Sequence, residues 1–160
     1  MTFAAIDDRT ASPIVRLLPV ADTQIDALLD MMTEFNRLEA IAWNRSEGEK
    51  PLRSLRDDAS LGEIGLVTCD DAIAGYFVLT WGFDLEWGGR DAFVTEFFLR
   101  AEFRGRRIGA RALGLVEQLA REKQVRALHL MVRHENTAAI ALYERAGFEE
   151  PPRRFMTKPL

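Results

Sequence analysis

Apolar and polar positions change period several times along this chain, and each change marks an element. From Ile25 the apolar residues Leu28, Leu29, Met32, Phe35 and Leu38 recur every three or four positions, which predicts an amphipathic helix from Ile25 to Leu38. The β-branched run Ile14 to Leu18 before it predicts a strand, with Pro19 and then Asp22 or Thr23 as N-caps handing over to the helix. Glu39 to Pro51 mixes Trp43 with polar residues and ends at a proline, so a loop or broken helix is expected, followed by a short helix from Leu52 to Ala59. Gly62 to Cys69 and Ala72 to Trp81 read as strands around an Asp70-Asp71 turn, a hairpin. Trp81 to Asp91 is rich in glycine and aromatics and predicts an irregular connection.

Ala92 to Leu99 then reads as a strand, and Ile108, Leu113, Val116, Leu119 and Ala120 trace one face of a helix running to Lys123. Leu128 to Val132 predicts a strand, Thr137 to Arg145 a helix stopped by Gly147, and Arg154 to Pro159 an edge strand. The expected order is β-α-α-β-β-β-α-β-α-β in one α/β domain spanning residues 1–160, with a flexible extension over 1–12.

Composition narrows the class. A chain of 160 residues, 48% hydrophobic and 29% charged, can bury a proper core as one soluble globular unit. The net charge of −4 disfavours general nucleic-acid binding and mildly favours cationic small molecules. The N-terminus has acidic residues where a signal peptide would be basic, and no apolar stretch approaches membrane-spanning length, so a cytoplasmic protein without membrane contact is expected. Cys69 is the single cysteine and excludes an internal disulfide. His129 alternates within its strand and reads as structural; with His134 and the distant Cys69 it makes no metal site, and none is expected.

The chemistry concentrates at Arg104 to Ala110, R-G-R-R-I-G-A, between an apolar strand and a helix. A strand leading through a glycine-containing basic loop into a helix presents backbone N–H groups and a helix N-terminus to one point, which suits a pyrophosphate. A second signature, N-T-A-A-I-A-L-Y-E-R-A-G-F, runs from Asn136 to Phe148. Together these two motifs resemble the GNAT superfamily of acetyl-CoA-dependent N-acetyltransferases. Arg104, Arg107 and Gly109 fall on its phosphate-loop pattern, and Asn136, Ala139, Ile140, Leu142, Tyr143, Gly147 and Phe148 on its C-terminal one. The family usually has glycine where Arg107 stands; a helical backbone there would make the arginine free of cost. The run F-V-T-E-F-F-L-R before the loop is similar to diamine and polyamine acetyltransferases.

The resemblance implies the GNAT fold, a mixed, mostly antiparallel central sheet flanked by helices, and transfer of an acetyl group from acetyl-CoA to a primary amine of a small molecule in a ternary complex. Main-chain groups of Phe97, Phe98 and Leu99 would meet the pantetheine arm, and Arg104, Gly105, Arg106, Arg107, Ile108, Gly109 and Ala110 the pyrophosphate, with Asn136 contacting the cofactor or capping its helix. Tyr143 would protonate the departing sulfur. Glu96, a carboxylate within an apolar strand, is the candidate base through water, although relatives often carry an acidic pair where this chain has Thr95-Glu96. Trp43, Trp81, Phe83 and Trp87 would wall an acceptor pocket, and Glu39, Asp84 and Glu86 would attract an ammonium group. Relatives often form homodimers. Alternatives are a non-catalytic acyl-CoA sensor or scaffold, an enzyme acting on amino acids, aminoglycosides or protein amines, and, most remote, a nucleic-acid binder using the arginine cluster.

Overall fold

The computed structural model describes residues 12–160, so all but the last residue of the expected N-terminal extension lies outside the described residues. A five-stranded sheet carries the strands in chain order, β1 (Val15–Pro19), β2 (Gly62–Cys69), β3 (Ala72–Asp84), β4 (Gly89–Leu99) and β5 (Leu128–Leu130). The first four pair antiparallel, and β5 runs parallel to β4. Helices α1 (Ile25–Leu38) and α2 (Arg45–Asp57) cover one face, with Leu28, Leu29, Met31 and Leu52 packed on Leu66, Tyr76, Val78 and Phe98. Helix α3 (Ile108–Glu122) covers the other, its Ile108, Ala112 and Val116 packed on Phe77, Leu79 and Val94. Helix α4 (Thr137–Arg145) follows β5. This is the mixed α/β GNAT architecture expected. Among the described residues no helix is long and apolar enough to cross a membrane.

Several expectations are corrected. Residues Arg45–Asp57 form one helix through Pro51, where a loop and a short later helix were expected. Asn44 starts it by accepting the Ser46 N–H at 3.1 Å, an Arg53–Glu49 ion pair spans one turn at 2.8 Å, and the buried Leu52 anchors it to the sheet face. Those contacts outweigh the backbone hydrogen bond that a proline removes from a helix interior. The glycine-rich stretch 81–91 is mostly sheet: β3 and β4 pair from Trp81–Ala92 out to Asp84–Gly89, closing a turn in which Gly88 has φ +71°. β5 ends at Leu130 rather than Val132, and Arg154 to Pro159 forms no edge strand, so the order closes on α4.

Candidate active site

The site begins where the sheet divides. β5 pairs with β4 only from Ala92–Leu128 to Val94–Leu130. At the next residue β4 bulges: Leu79 of β3 faces Val94 but Val78 faces Glu96, leaving Thr95 as the extra residue. A bulge bends a strand and increases its twist. Beyond it, β4 keeps β3 on one side and, among the described residues, has no strand on the other through Leu99. The bulge also resets which face each side chain takes, placing Val94 in the α3 core and Phe98 in the α1 core. Thr95 and Glu96 therefore do not simply alternate as residues of an unbroken strand would, and Thr95 is exposed.

Glu96 turns to the α1 side and accepts a hydrogen bond from the Tyr76 phenol at 2.5 Å. Tyr76 was not foreseen; its hydroxyl, on a fully buried ring in a central strand, needed a partner, and the same need could have pointed to it. Phe35 and Phe98 pack against that ring. Burial holds the Glu96 carboxyl above the ordinary carboxylate range, with the Tyr76 hydrogen bond pulling the other way. Burial, then the Glu96 charge, pushes the Tyr76 phenol far up.

The raised Glu96 value couples to stability with a definite sign. The folded chain holds this proton more tightly than the unfolded chain does. The resulting stability is fully present below pH 4.5, the ordinary glutamate value, and is lost as pH rises through the folded value. Glu96→Gln, which still accepts from Tyr76, is expected to lose less Tm than wild type as pH rises above that point. The difference should approach about 1.4 kcal/mol for each pKa unit between the two states. Parallel Tm–pH curves for the two proteins would show that Glu96 carries no such strain.

The basic loop follows β4 after one 3-10 turn, Ala101–Phe103. Gly105 has φ +71° and Arg107, the N-cap of α3, has φ 60° and ψ 6°. The helical backbone expected at Arg107 is thus wrong: the position is left-handed, and an L side chain there costs on the order of 1–2 kcal/mol. Gly105 and Arg107 turn the chain so that the amides of Gly105 to Ala110 have no acceptor among the described residues, and α3 starts without a side-chain cap. A row of free N–H groups at a helix N-terminus is an anion site in waiting. Arg107→Gly is expected to raise stability by about 1 kcal/mol, strain relief less the added entropy of the unfolded chain. Chemical denaturation reads it, and a loss would refute the strain.

Arg104 braces the loop. Its Nε donates to the Leu99 carbonyl at 2.8 Å and its guanidinium lies 5.5 Å from the Phe98 ring centroid, so that carbonyl already has a donor. Arg106 and Arg107 are exposed. Phe97 and Leu99 pack toward α3. Gly109 ties the parts together: a Cβ there would lie 3.4 Å from Leu99 Cδ1 and 3.6 Å from Leu142 Cδ2. The end of β4, the start of α3 and the helix bearing Tyr143 therefore meet at one glycine.

The C-terminal signature has a physical reading. Asn136 accepts the Ala139 N–H at 3.2 Å, so its side chain serves as the N-cap of α4. At the other end Phe148 N donates to Tyr143 O, Gly147 N donates to Glu144 O, both at 3.0 Å, and Gly147 has φ +92°. This is a Schellman motif, whose hydrophobic contact is the Tyr143–Phe148 ring pair at 5.8 Å. Tyr143 is thereby held from below, and burial followed by the Glu39 charge pushes its phenol up to about 12.

The expected acceptor wall does not assemble as one pocket. Trp43 lies over Gly48 and donates from Nε1 to Thr33 at 3.0 Å. Trp81 packs toward the α3 core and donates to the Ala59 carbonyl at 3.0 Å. Phe83 is exposed, Asp84 accepts the Glu86 N–H in the hairpin turn, and Glu86 pairs with Arg153 at 2.6 Å. Trp87 rests against His129 instead, and Glu39 lies toward Tyr143. No three His, Cys, Asp or Glu side chains converge among the described residues.

The acetyltransferase (GNAT) family model matches residues 27–148. A stretch of 61 residues is 38% identical to an uncharacterized N-acetyltransferase, YycN, of Bacillus subtilis, covering 38% of this chain and 39% of that one. Another of 87 residues is 33% identical to an uncharacterized N-acetyltransferase, MJ1207, of Methanocaldococcus jannaschii, covering 54% and 34%. These matches thus span between a third and two-fifths of the curated relatives. An integron cassette protein from the mobile metagenome of Cole Harbour Salt Marsh superposes with a TM-score of 0.78 at 32% identity over 90% of each chain. An aminoglycoside N-acetyltransferase, AAC(6')-Iy, in complex with CoA shares the fold at TM-score 0.76 and 14% identity, over 94% of this chain and 97% of that one. With the divided sheet, the amide-rich loop and the Schellman-anchored tyrosine of the signature helix all in one chain, this protein belongs to the GNAT acetyltransferase family.

Proposed function

We propose that the chain transfers an acetyl group from acetyl-CoA to a primary amine of a small molecule, by direct attack in a ternary complex. The observation that carries this reading is the row of unpartnered amides from Gly105 to Ala110, adjoining a β4 edge with no neighbouring strand. The N–H groups and the positive end of α3 suit the diphosphate of acetyl-CoA, with Arg106 and Arg107 adding charge, and the open edge of β4 near Phe97 and Phe98 suits its pantetheine arm. The CoA complex of the aminoglycoside enzyme of the same fold supports this assignment.

The amine arrives as ammonium. With a pKa of about 10.4 it is neutral roughly once in 10³ at pH 7, a deficit of roughly 4–5 kcal/mol. Glu96 takes a nitrogen proton through water as the C–N bond forms, held by Tyr76, and Tyr143 gives its proton to the sulfur. A di- or polyamine is the leading acceptor: the net charge of −4 favours a cation, and Asp84 adds a carboxylate near the hairpin tip.

An acceptor panel of diamines, polyamines, amino acids and aminoglycosides, followed by CoA thiol release, tests the reading, with the highest kcat/KM expected for a di- or polyamine. Saturable CoA binding without thiol release from any amine would favour a sensor module. Thr95, a residue that takes no proton at neutral pH, stands at the bulge in that module's favour.

A further inference from the structure

Asp91 and His129 form a second titratable pair next to the division of the sheet. Val94, Leu128 and Leu130 belong to the α3 core, so Asp91, Phe93 and His129, alternating with them, lie on the opposite face, the one that Glu96 shares. His129 is the register partner of Phe93, one position before the strands part. Its partner Phe93 precedes Glu96 by three positions on β4, across the bulge.

The pair is built to hold an imidazole. Asp91 is 9% exposed, and its Oδ2 lies 3.3 Å from His129 Nε2. Its Oδ1 has no partner among the described residues and sits over Gly82, where a Cβ would come within 2.3 Å of it. The histidine is therefore the one cation-capable partner, among the described residues, of a desolvated carboxylate. Its ring lies between Trp87 and Phe93, with centroids 5.9 and 5.4 Å away, and its side chain keeps 28% exposure. Phe155 packs on Phe93 from the C-terminal segment. With Nε2 turned to the Asp91 carboxylate, Nδ1 is the ring nitrogen left to accept a proton.

Reaction balance gives that lone pair a task. An ammonium nitrogen loses two protons on becoming an amide, the thiolate takes one, and one must leave the protein. On the acetyltransferase reading above, we propose that His129 is the catalytic residue that takes the first, with Asp91 as its positioning residue. An ammonium N–H bond breaks, the electron pair stays on nitrogen, and an Nδ1–H bond forms. The imidazolium is balanced by Asp91 and passes the proton to water at its exposed edge. Glu96 collects the second proton at the point of attack and returns it through water to the Tyr143 oxygen, which has protonated the sulfur, so that both groups are restored and one proton leaves. Other titratable and charged groups on the elements around the ring are Arg90 on β4, Asp84 and Glu86 on the hairpin, Arg126 before β5, and Arg153 and Arg154 beside Phe155.

The test combines the pH profile of kcat/KM, for the best amine of the panel, with NMR titration of the imidazole. The chain has two histidines, so His134→Gln assigns the signals. The acidic limb of the wild-type profile is expected at the pKa that NMR reads for His129. Asp91→Asn should lower kcat at pH 7 and leave KM nearly unchanged, since it removes the carboxylate that positions the ring. His129→Gln should cost about 10²-fold in kcat/KM at pH 7. Added imidazole should restore part of the rate to His129→Ala, and CoA affinity should be unchanged throughout. An unshifted limb in His129→Gln, or an Asp91→Asn variant with wild-type kcat, overturns the assignment while the acetyltransferase reading stands. A wild type that binds CoA and acetylates no amine overturns both.

Discussion

Gly109→Glu is expected to abolish CoA binding while leaving the fold at least as stable as wild type. Position 109 is the second residue of α3 and is helical, and a Cβ added there meets Leu99 and Leu142 at 3.4 and 3.6 Å, ordinary contacts. A carboxylate in the first turn interacts favourably with the helix dipole by about 0.3–1 kcal/mol, and replacing a helical glycine adds up to about 1 kcal/mol more. The same carboxylate is drawn to the free amides of Gly105 to Ala110, which are the groups assigned to the diphosphate. It neutralises their field and repels the incoming anion. Calorimetry should show CoA affinity reduced at least about 10²-fold, with the melting temperature level or raised. Near-wild-type affinity in a folded variant would remove the loop as the donor site, because few other substitutions separate binding from stability so cleanly.

The parts of this site that were legible in the sequence are those whose chemistry is local. A helix N-terminus presents free amides whatever lies around it, so Arg104 to Ala110 could be read as suited to an anion, and its spacing to the second motif carried the family resemblance. The C-terminal signature was equally local: Asn136 caps, Gly147 takes the left-handed conformation, and Phe148 closes on Tyr143. What could not be read arises from contacts between distant segments. The helix through Pro51 depends on Leu52 meeting the sheet and on the cap at Asn44. The strands that replace the expected irregular stretch 81–91 depend on pairing across a turn, with Gly82 leaving room for Asp91.

The bulge matters most. One extra residue at Thr95 turns Val94 and Phe98 to opposite sides of the sheet, aims Glu96 at Tyr76, and lets β5 part from β4. No periodicity in F-V-T-E-F-F-L announces it. The left-handed Arg107 is a similar case. Sequence favoured the unstrained backbone, whereas the loop keeps an arginine where a glycine would cost less, and the strain sits beside the amides it helps to aim.

Tyr143→Phe is expected to lower kcat by about 10²–10⁴-fold with little change in CoA affinity or melting temperature. The variant removes one oxygen atom but retains the ring, so the contact with Phe148 and the Schellman hydrogen bonds, which use main-chain atoms, survive. Burial and the Glu39 charge push the phenol up to about 12, so it is protonated and able to donate throughout the neutral range. Its own titration therefore adds no limb to the pH profile below that value. The deficit should be bounded, because a thiol with a pKa of about 8.5 is already a tolerable leaving group. It should also shrink with acetyl donors whose thiols are more acidic, since a better leaving group needs its proton less. Glu39→Gln removes the nearby negative charge and should bring the phenol down toward its ordinary value without returning it there, because burial is the larger cause. A Tyr143→Phe enzyme within twofold of wild type for every donor would make the tyrosine a packing residue and leave sulfur protonation to solvent.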